Sequence, residues 1–318
     1  MHYAELHCRT NFSFLSGASH PQELVAYAAK LGLSALAITD LSGLYGIVRA
    51  WEARRKLAVA TEGTEPTLPR LLFGSELELD PIPDERNARQ PSDALVVIAR
   101  HRAGYARLSA LISRGRRRVA KGEFSLAQAE VRRIGGEHLL VLAGGPRSRL
   151  LREGKAARHE LSALREAFGD ALTLELTRHR RPGDFERSRA LYALGRELNV
   201  PAVATNDVFF HVPHRKKLAD VLHCIRETMP LAEAGRRLLP NAERHLKGAA
   251  AMQALFSDLP EAVAFSAEVA SRCDFDLSQL HYSYPQEARG LVRRVGRRRP
   301  EAPGAARAGR SAGSNACT

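Results

Sequence analysis

The sequence predicts an α/β fold, a largely parallel sheet with helices covering it. Short apolar segments alternate with segments of helical period about seven times over roughly the first 210 of the 318 residues. The apolar segments are hydrophobic along both faces, as strands buried on both sides are. Most of them also end in a histidine or a carboxylate, which is where barrel enzymes place their chemistry. Seven units suit a closed or distorted barrel as well as an open sheet, and periodicity does not choose between them.

The first strand, 3–8, delivers Glu5 and His7 and breaks into a polar loop closed by Gly17. Ser19 and Pro21 read as an N-cap and a first helical turn, and Leu24, Val25, Ala28 and Leu31 give the helix its buried face. A second strand, 34–39, ends at Asp40, and Leu44, Ile47, Val48 and Trp51 mark the helix after it. The third strand, 71–79, carries Glu76 and leads into a polar, proline-bounded loop at 81–91. The fourth, 94–99, runs into Arg100 and His101 and then a helix over 105–118 with a basic end. The fifth, 139–143, opens into Gly144, Gly145 and Pro146, with a helix over 150–168. The sixth, 172–176, ends near His179, and the seventh, 200–205, ends at Asn206 and Asp207, with a helix over 185–198 between them. From 216 to 270 the pattern is helical, with Leu218, Val221, Leu222 and Ile225 on one face. The expected division is a barrel over 1–215, a helical appendage or linker over 216–285, and a disordered Arg/Ala/Gly-rich tail over 286–318.

Composition narrows the function classes. No apolar run approaches the ~20 residues of a membrane span, and the N-terminus lacks the basic and apolar regions of a signal peptide, so a cytoplasmic protein is expected. Cys8, Cys224, Cys273 and Cys317 form no C-x-x-C pair, which argues against a disulfide framework or a zinc ribbon. The formal charge is +13, of which the eight Arg and two Glu of 287–318 supply +6. A basic balance points toward nucleic acid. Arg114, Arg116, Arg117 and Arg118 are the candidate phosphate contacts inside the folded part; the same cluster also reads as a solvated helix end complementing the helix dipole.

Glu5, His7, Asp40, Glu76, His101, His179 and Asp207 come from the ends of several strands, and oxygen with imidazole donors suits Zn, Mn or Fe ions that activate water against a phosphate ester. Individually, Asp40 reads equally as an N-cap and Asp207 as a turn cap. His7 is the best candidate, between strand and loop with a carboxylate two residues before it.

The stretches E-L-H-C-R-T-N-F-S-F-L-S-G-A-S, L-A-I-T-D-L-S-G-L-Y-G, G-S-E-L-E-L, V-A-T-N-D-V-F-F-H-V-P and L-L-P-N-A-E-R-H-L-K, in this order and spacing, resemble the N-terminal polymerase-and-histidinol-phosphatase (PHP) domain of error-prone DNA polymerases of the C family. The resemblance covers about residues 3–287. It implies a distorted seven-stranded (β/α) barrel joined to a polymerase. In the pattern D-L-H-x-H-T the first histidine stands as His7 and the second is Arg9. The loop's Asp is Ser16, and T-D-H-G reads Thr39, Asp40, Leu41, Ser42. Glu76 is retained, the fifth-strand ligand falls in the Gly144–Gly145 region, His179 matches the sixth-strand ligand, and N-D-x-H reads Asn206, Asp207, Val208, Phe209, with His211 two places on.

The reading is therefore the PHP portion of an error-prone, translesion polymerase of DNA repair and replication. Its barrel is expected to be structural, with a degenerate metal site at His7, Asp40, Glu76, His179 and Asp207. No catalytic residue is assigned and no cofactor is required; Zn or Mn is the residual metal, and Mg belongs to the polymerase portion, which this sequence lacks. DNA through the parent polymerase and translesion accessory proteins are the expected partners, with no membrane. The change of composition after Pro285 is read as truncation or a frameshift, against a natural basic DNA-binding tail. The competing activity is a metal-dependent phosphoesterase using His7, Glu76, His179 and Asp207.

Overall fold

The structure, a computed structural model, describes residues 2–60, 68–81, 93–151 and 155–280. The tail over 286–318, and the predicted loop 81–91 apart from Pro81, lie outside the described residues.

The strands are β1 (Ala4–Cys8), β2 (Ala35–Leu41), β3 (Arg70–Leu79), β4 (Asp93–Ala99), β5 (Leu139–Ala143), β6 (Leu172–Thr177) and β7 (Ala202–Thr205). The helices between them are α1 (Pro21–Lys30), α2 (Ile47–Ala60), α3 (Arg102–Arg117), α4 (Gln128–Arg132), α5 (Lys155–Phe168) and α6 (Asp184–Glu197). They are followed by α7 (Lys216–Arg226), α8 (Leu231–Ala234), α9 (Ala249–Leu255) and α10 (Pro260–Ser271). The seven strands pair in sequence order, and the sheet curls until β1 meets the segment after β7. Cys8 bridges Val208 there, with Val208 N–H donating to the His7 carbonyl at 2.8 Å and Arg9 N–H donating to the Val208 carbonyl at 2.9 Å. The result is a nearly closed barrel.

One strand departs from the parallel expectation. β4 runs antiparallel to both β3 and β5, while the other pairs are parallel. A parallel neighbour needs a crossover, usually a helix; the sequence between β3 and β4 carries Pro81, Pro83 and Pro91 and no helical period, which agrees with the antiparallel pairing. The reversal corrects one site residue. His101 follows the carboxyl end of β4, so it lies at the opposite end of the barrel from the other candidates, as N-cap residue of α3, its ring centroid 5.1 Å from that of His138.

Alternation along the strands sorts the side chains. Leu71, Phe73 and Leu77 of β3 and Leu172, Leu174 and Leu176 of β6 face the covering helices, meeting Leu24 of α1, Ile47 of α2, Leu108 of α3 and Leu161 of α5 in one core. The opposite face joins Leu72, Val96, Ile98, Leu140, Leu142 and Val203 to Val269 and Ala270 of α10. Glu76 shares its strand parity with Leu72, and Glu175 with Thr173, so both carboxylates are placed on the inner face and buried. The helical stretch predicted from 216 is interrupted between α8 and α9, where Gly235, Pro240 and Gly248 break the period. That break returns the chain to the rim: Phe209 N–H donates to the Arg244 carbonyl at 2.9 Å and Leu246 N–H to the Phe210 carbonyl at 3.0 Å. Among the described residues no helix is long and apolar enough to cross a membrane.

Met252 and Phe256 are fully buried in the same core as the barrel strands. Phe256→Ala is expected to cost about 3–5 kcal/mol by the loss of a buried aromatic side chain. Urea denaturation followed by far-UV circular dichroism and by Trp51 fluorescence should show one shared, lowered midpoint.

Candidate metal centre

Six strands point their carboxyl ends at one rim, and that rim gathers the chemistry. A register break in β1 between Glu5 and Cys8 accompanies the turn of His7 into the barrel mouth. There Nδ1 of His7 lies 2.7 Å from Oε1 of Glu175, and Nε2 lies 3.1 Å from Oε2 of Glu76 and 3.6 Å from Oδ1 of Asp207. One donor atom from each of His7, Glu76 and Asp207 lies within 4.8 Å of the others, a group with the spacing to hold a metal ion. Asp207 reaches it from a left-handed turn at φ 43°, a conformation Asp tolerates better than most residues.

The same carboxylates are already paired with cations of the protein. Arg9 donates from Nε to Oε2 of Glu76 at 2.6 Å, and Arg147 donates from Nε to Oε1 at 3.0 Å. A second nitrogen of Arg147 bonds Glu78 at 2.7 Å. Arg244 forms a short ion pair with Oδ2 of Asp207, leaving Oδ1 with no hydrogen-bond partner. The Phe209 ring stacks beneath both Arg9 and Arg244, whose guanidinium carbons lie 4.5 and 4.4 Å from its centroid. Arg9 also donates to Ser16 Oγ at 3.0 Å. Arg9, Ser16 and Phe209, three of the positions where the sequence departs from the pattern it resembles, are thus brought together around the Arg9 guanidinium.

Charge states follow. Burial works against a charged His7 ring, but Glu175, Asp207 and Glu76 outweigh it and raise its pKa well above 6.5, so the ring is an imidazolium at neutral pH. Burial works to raise Glu76, yet Arg9, Arg147 and His7 hold it well below the usual range. Asp207 is likewise lowered by Arg244, His7 and Arg9 against the effect of burial. A protonated imidazole has no lone pair for a metal.

The remaining candidates lie apart from this group. Asp40 is not within it: its carboxylate accepts from Thr10 N–H at 2.7 Å, Ser13 Oγ at 2.7 Å and Gly46 N–H at 3.1 Å, which anchors the β1 loop onto the β2 turn. His179 donates from Nε2 to the Asn206 carbonyl at 2.9 Å and is held neutral, its pKa lowered to about 4 by burial and by Arg244. His211 bonds Ser19 Oγ at 2.7 Å and supplies no replacement ligand. Glu5 accepts from Tyr3 OH at 2.8 Å and from His7 N–H at 3.0 Å, beneath the cluster. Of the helix-end arginines, Arg118 pairs with Glu130 at 2.5 Å, Arg114 reaches the same carboxylate at 3.4 Å, Arg116 donates to the Ser42 carbonyl at 3.0 Å, and Arg117 is exposed. Cys8, Cys224 and Cys273 are buried free thiols.

Sequence reasoning missed three participants. Glu175 was visible only as a lone charge in an apolar strand; its carboxylate fills the space beside Gly145, where a Cβ would fall 2.4 Å from Oε2. Arg147 and Arg244 sit in loops where arginine reads as solvated surface. Asn206 positions the second of these, donating from its amide to the Glu243 and His245 carbonyls at 2.8 and 2.6 Å.

The nearly closed seven-stranded sheet, with one histidine and several carboxylates gathered at its carboxyl rim, defines the class as a distorted α/β barrel. The chain belongs to the PHP domain family, whose profile matches residues 5–179. It is similar to the error-prone DNA polymerase of Anaeromyxobacter dehalogenans, at 41% identity over 284 residues, covering 89% of this chain and 23% of the relative. Its similarity to the error-prone DNA polymerase of Pseudomonas paraeruginosa is 41% over 286 residues, covering 90% and 25%. The chain therefore spans about a quarter of the length of these relatives. Among solved structures, an amidohydrolase from Chromobacterium violaceum with bound sulfate and no metal aligns over 65% of this chain and 87% of its own, at 14% identity and a TM-score of 0.46.

Glu76→Gln leaves the buried Arg9 and the half-buried Arg147 against a neutral amide. The expected cost is about 3–5 kcal/mol, read from urea denaturation at pH 7. His179 gives a pH signature of defined sign. The unfolded chain protonates it near 6.5 and the folded chain only near 4. Stability is therefore intact above 6.5 and falls as pH drops toward 4, by up to about 1.4 kcal/mol per pH unit. His179→Gln should flatten the melting-temperature profile across that window.

Proposed function

We propose that this chain is the PHP barrel of an error-prone DNA polymerase, serving as a structural, non-catalytic module whose cation positions are taken by guanidinium groups. The single observation that carries this reading is the pairing of Glu76 and Asp207 with Arg9, Arg147 and Arg244. A divalent ion at His7, Glu76 and Asp207 would have to displace those ion pairs, deprotonate His7 and share the space with positive charges repelling it by several kcal/mol at an effective dielectric of ~20. The donor set does not fit a resident metal cluster, and no step is assigned to one. The relatives, named error-prone DNA polymerases and about four times as long as this chain, support the wider role: contact with DNA and with translesion accessory proteins is assigned to the parent polymerase rather than to this barrel.

The test is metal content by mass spectrometry, with phosphoesterase assays in Mn²⁺ and Zn²⁺. The expected outcome is metal well below stoichiometry, no turnover, and a melting temperature unmoved by EDTA. Stoichiometric metal with turnover abolished by His7→Ala would overturn the reading in favour of an active phosphoesterase.

A further inference from the structure

A second feature of the surface lies outside the buried rim cluster. A groove of about 460 Å³ runs between the β2–α2 turn and the carboxyl half of α3, lined by Leu44, Tyr45, Ile112, Ser113, Arg116 and Arg117. A second depression of about 490 Å³, containing Arg114 and Arg118, shares Ser113 and Arg117 with it, so the two form one surface. α3 carries Arg102, Arg107, Arg114, Arg116 and Arg117 and no acidic residue. Glu130 partners only Arg114 and Arg118, and Arg117 has no hydrogen-bond or ion-pair partner among the described residues.

The groove also holds an aromatic face in place. Tyr45 is 54% exposed, so its ring is open to a ligand. It lies against Gly43, where a Cβ would meet the ring at 2.2 Å, so the glycine lets the ring rest on the backbone. The opposite wall is fixed by Arg116, which donates to the Ser42 and Glu123 carbonyls at 3.0 Å each and stacks 5.2 Å from the Phe124 centroid. The groove therefore combines a pre-positioned aromatic ring, an apolar floor and unneutralised guanidinium.

We propose that this groove binds single-stranded nucleic acid, with a base stacked on Tyr45 and backbone phosphates held by Arg117 and its neighbours on α3. Charge alone would suit any polyanion. The ring selects among them, because an unpaired base offers a π-face for stacking while a duplex keeps its bases inside and an acidic peptide has none to offer. The groove stands apart from the ion-paired cluster, so the proposal does not depend on whether that cluster holds a metal.

Fluorescence anisotropy of a short labelled oligodeoxythymidine with the full 318-residue chain tests it. Affinity should fall with salt. Tyr45→Ala should weaken binding by about 5- to 150-fold, the range measured for loss of one base–aromatic stack. Tyr45→Phe should retain most of it. Arg117→Glu should weaken binding and flatten the salt dependence. Both residues are exposed, so melting temperatures should match the unaltered chain. A duplex of the same length should bind more weakly and ignore Tyr45→Ala. The proposal is overturned if oligodeoxythymidine binding is unchanged by Tyr45→Ala, which would assign it to basic residues elsewhere, the 286–318 segment included. It is also overturned if polyglutamate binds the chain as tightly as the oligonucleotide does.

Discussion

The carboxylate of Glu76 is the charge around which the rim is organised. It is buried on the inner face of β3, where an unpaired anion would cost several kcal/mol, and it is met from three sides by Arg9, Arg147 and the His7 imidazolium. His7 and Arg9 arrive from the end of β1, Arg147 from the turn after β5. One buried anion therefore ties together elements far apart in sequence. Arg244 does the same for Asp207, and its loop is held to the end of β7 by the Asn206 amide.

A metal cluster and a guanidinium cluster solve the same electrostatic problem. Both supply positive charge to acids that the barrel geometry brings together. A metal, however, needs lone pairs in a fixed arrangement, whereas a guanidinium needs only oxygens in its plane and something flat to rest on. Phe209 supplies the flat surface for both Arg9 and Arg244. The departures at 9, 16 and 209 are thus one coordinated change: the arginine brings the charge, the serine accepts from it, and the phenylalanine carries its face.

Much of this was legible beforehand, and the misses have physical causes. His7, Glu76 and Asp207 were readable because each is a polar residue near the end of an apolar run, and their donor atoms lie together at the rim. Asp40 and His101 share that signal and do not join them. Asp40 is consumed by hydrogen bonds from the neighbouring loop, which no spacing rule reports. His101 is removed by strand direction, and the proline-rich sequence before β4, which has no helical period, was a usable warning. Arg147 and Arg244 were illegible, because an arginine in a polar loop looks the same whether it meets water or a buried acid.

By itself the sequence determined the order of strands and helices and the carboxylates at the strand ends, since periodicity and residue identity are local properties; that Arg9, Leu41 and Phe209 stand where histidine is expected came from the family resemblance. Only the tertiary structure decided which acids share which cation, that β4 runs backwards, and that Tyr45 and Arg117 share one groove. Those outcomes depend on distances between residues far apart in the chain. Such distances are set by how the sheet closes and the helices pack, and no single segment encodes them.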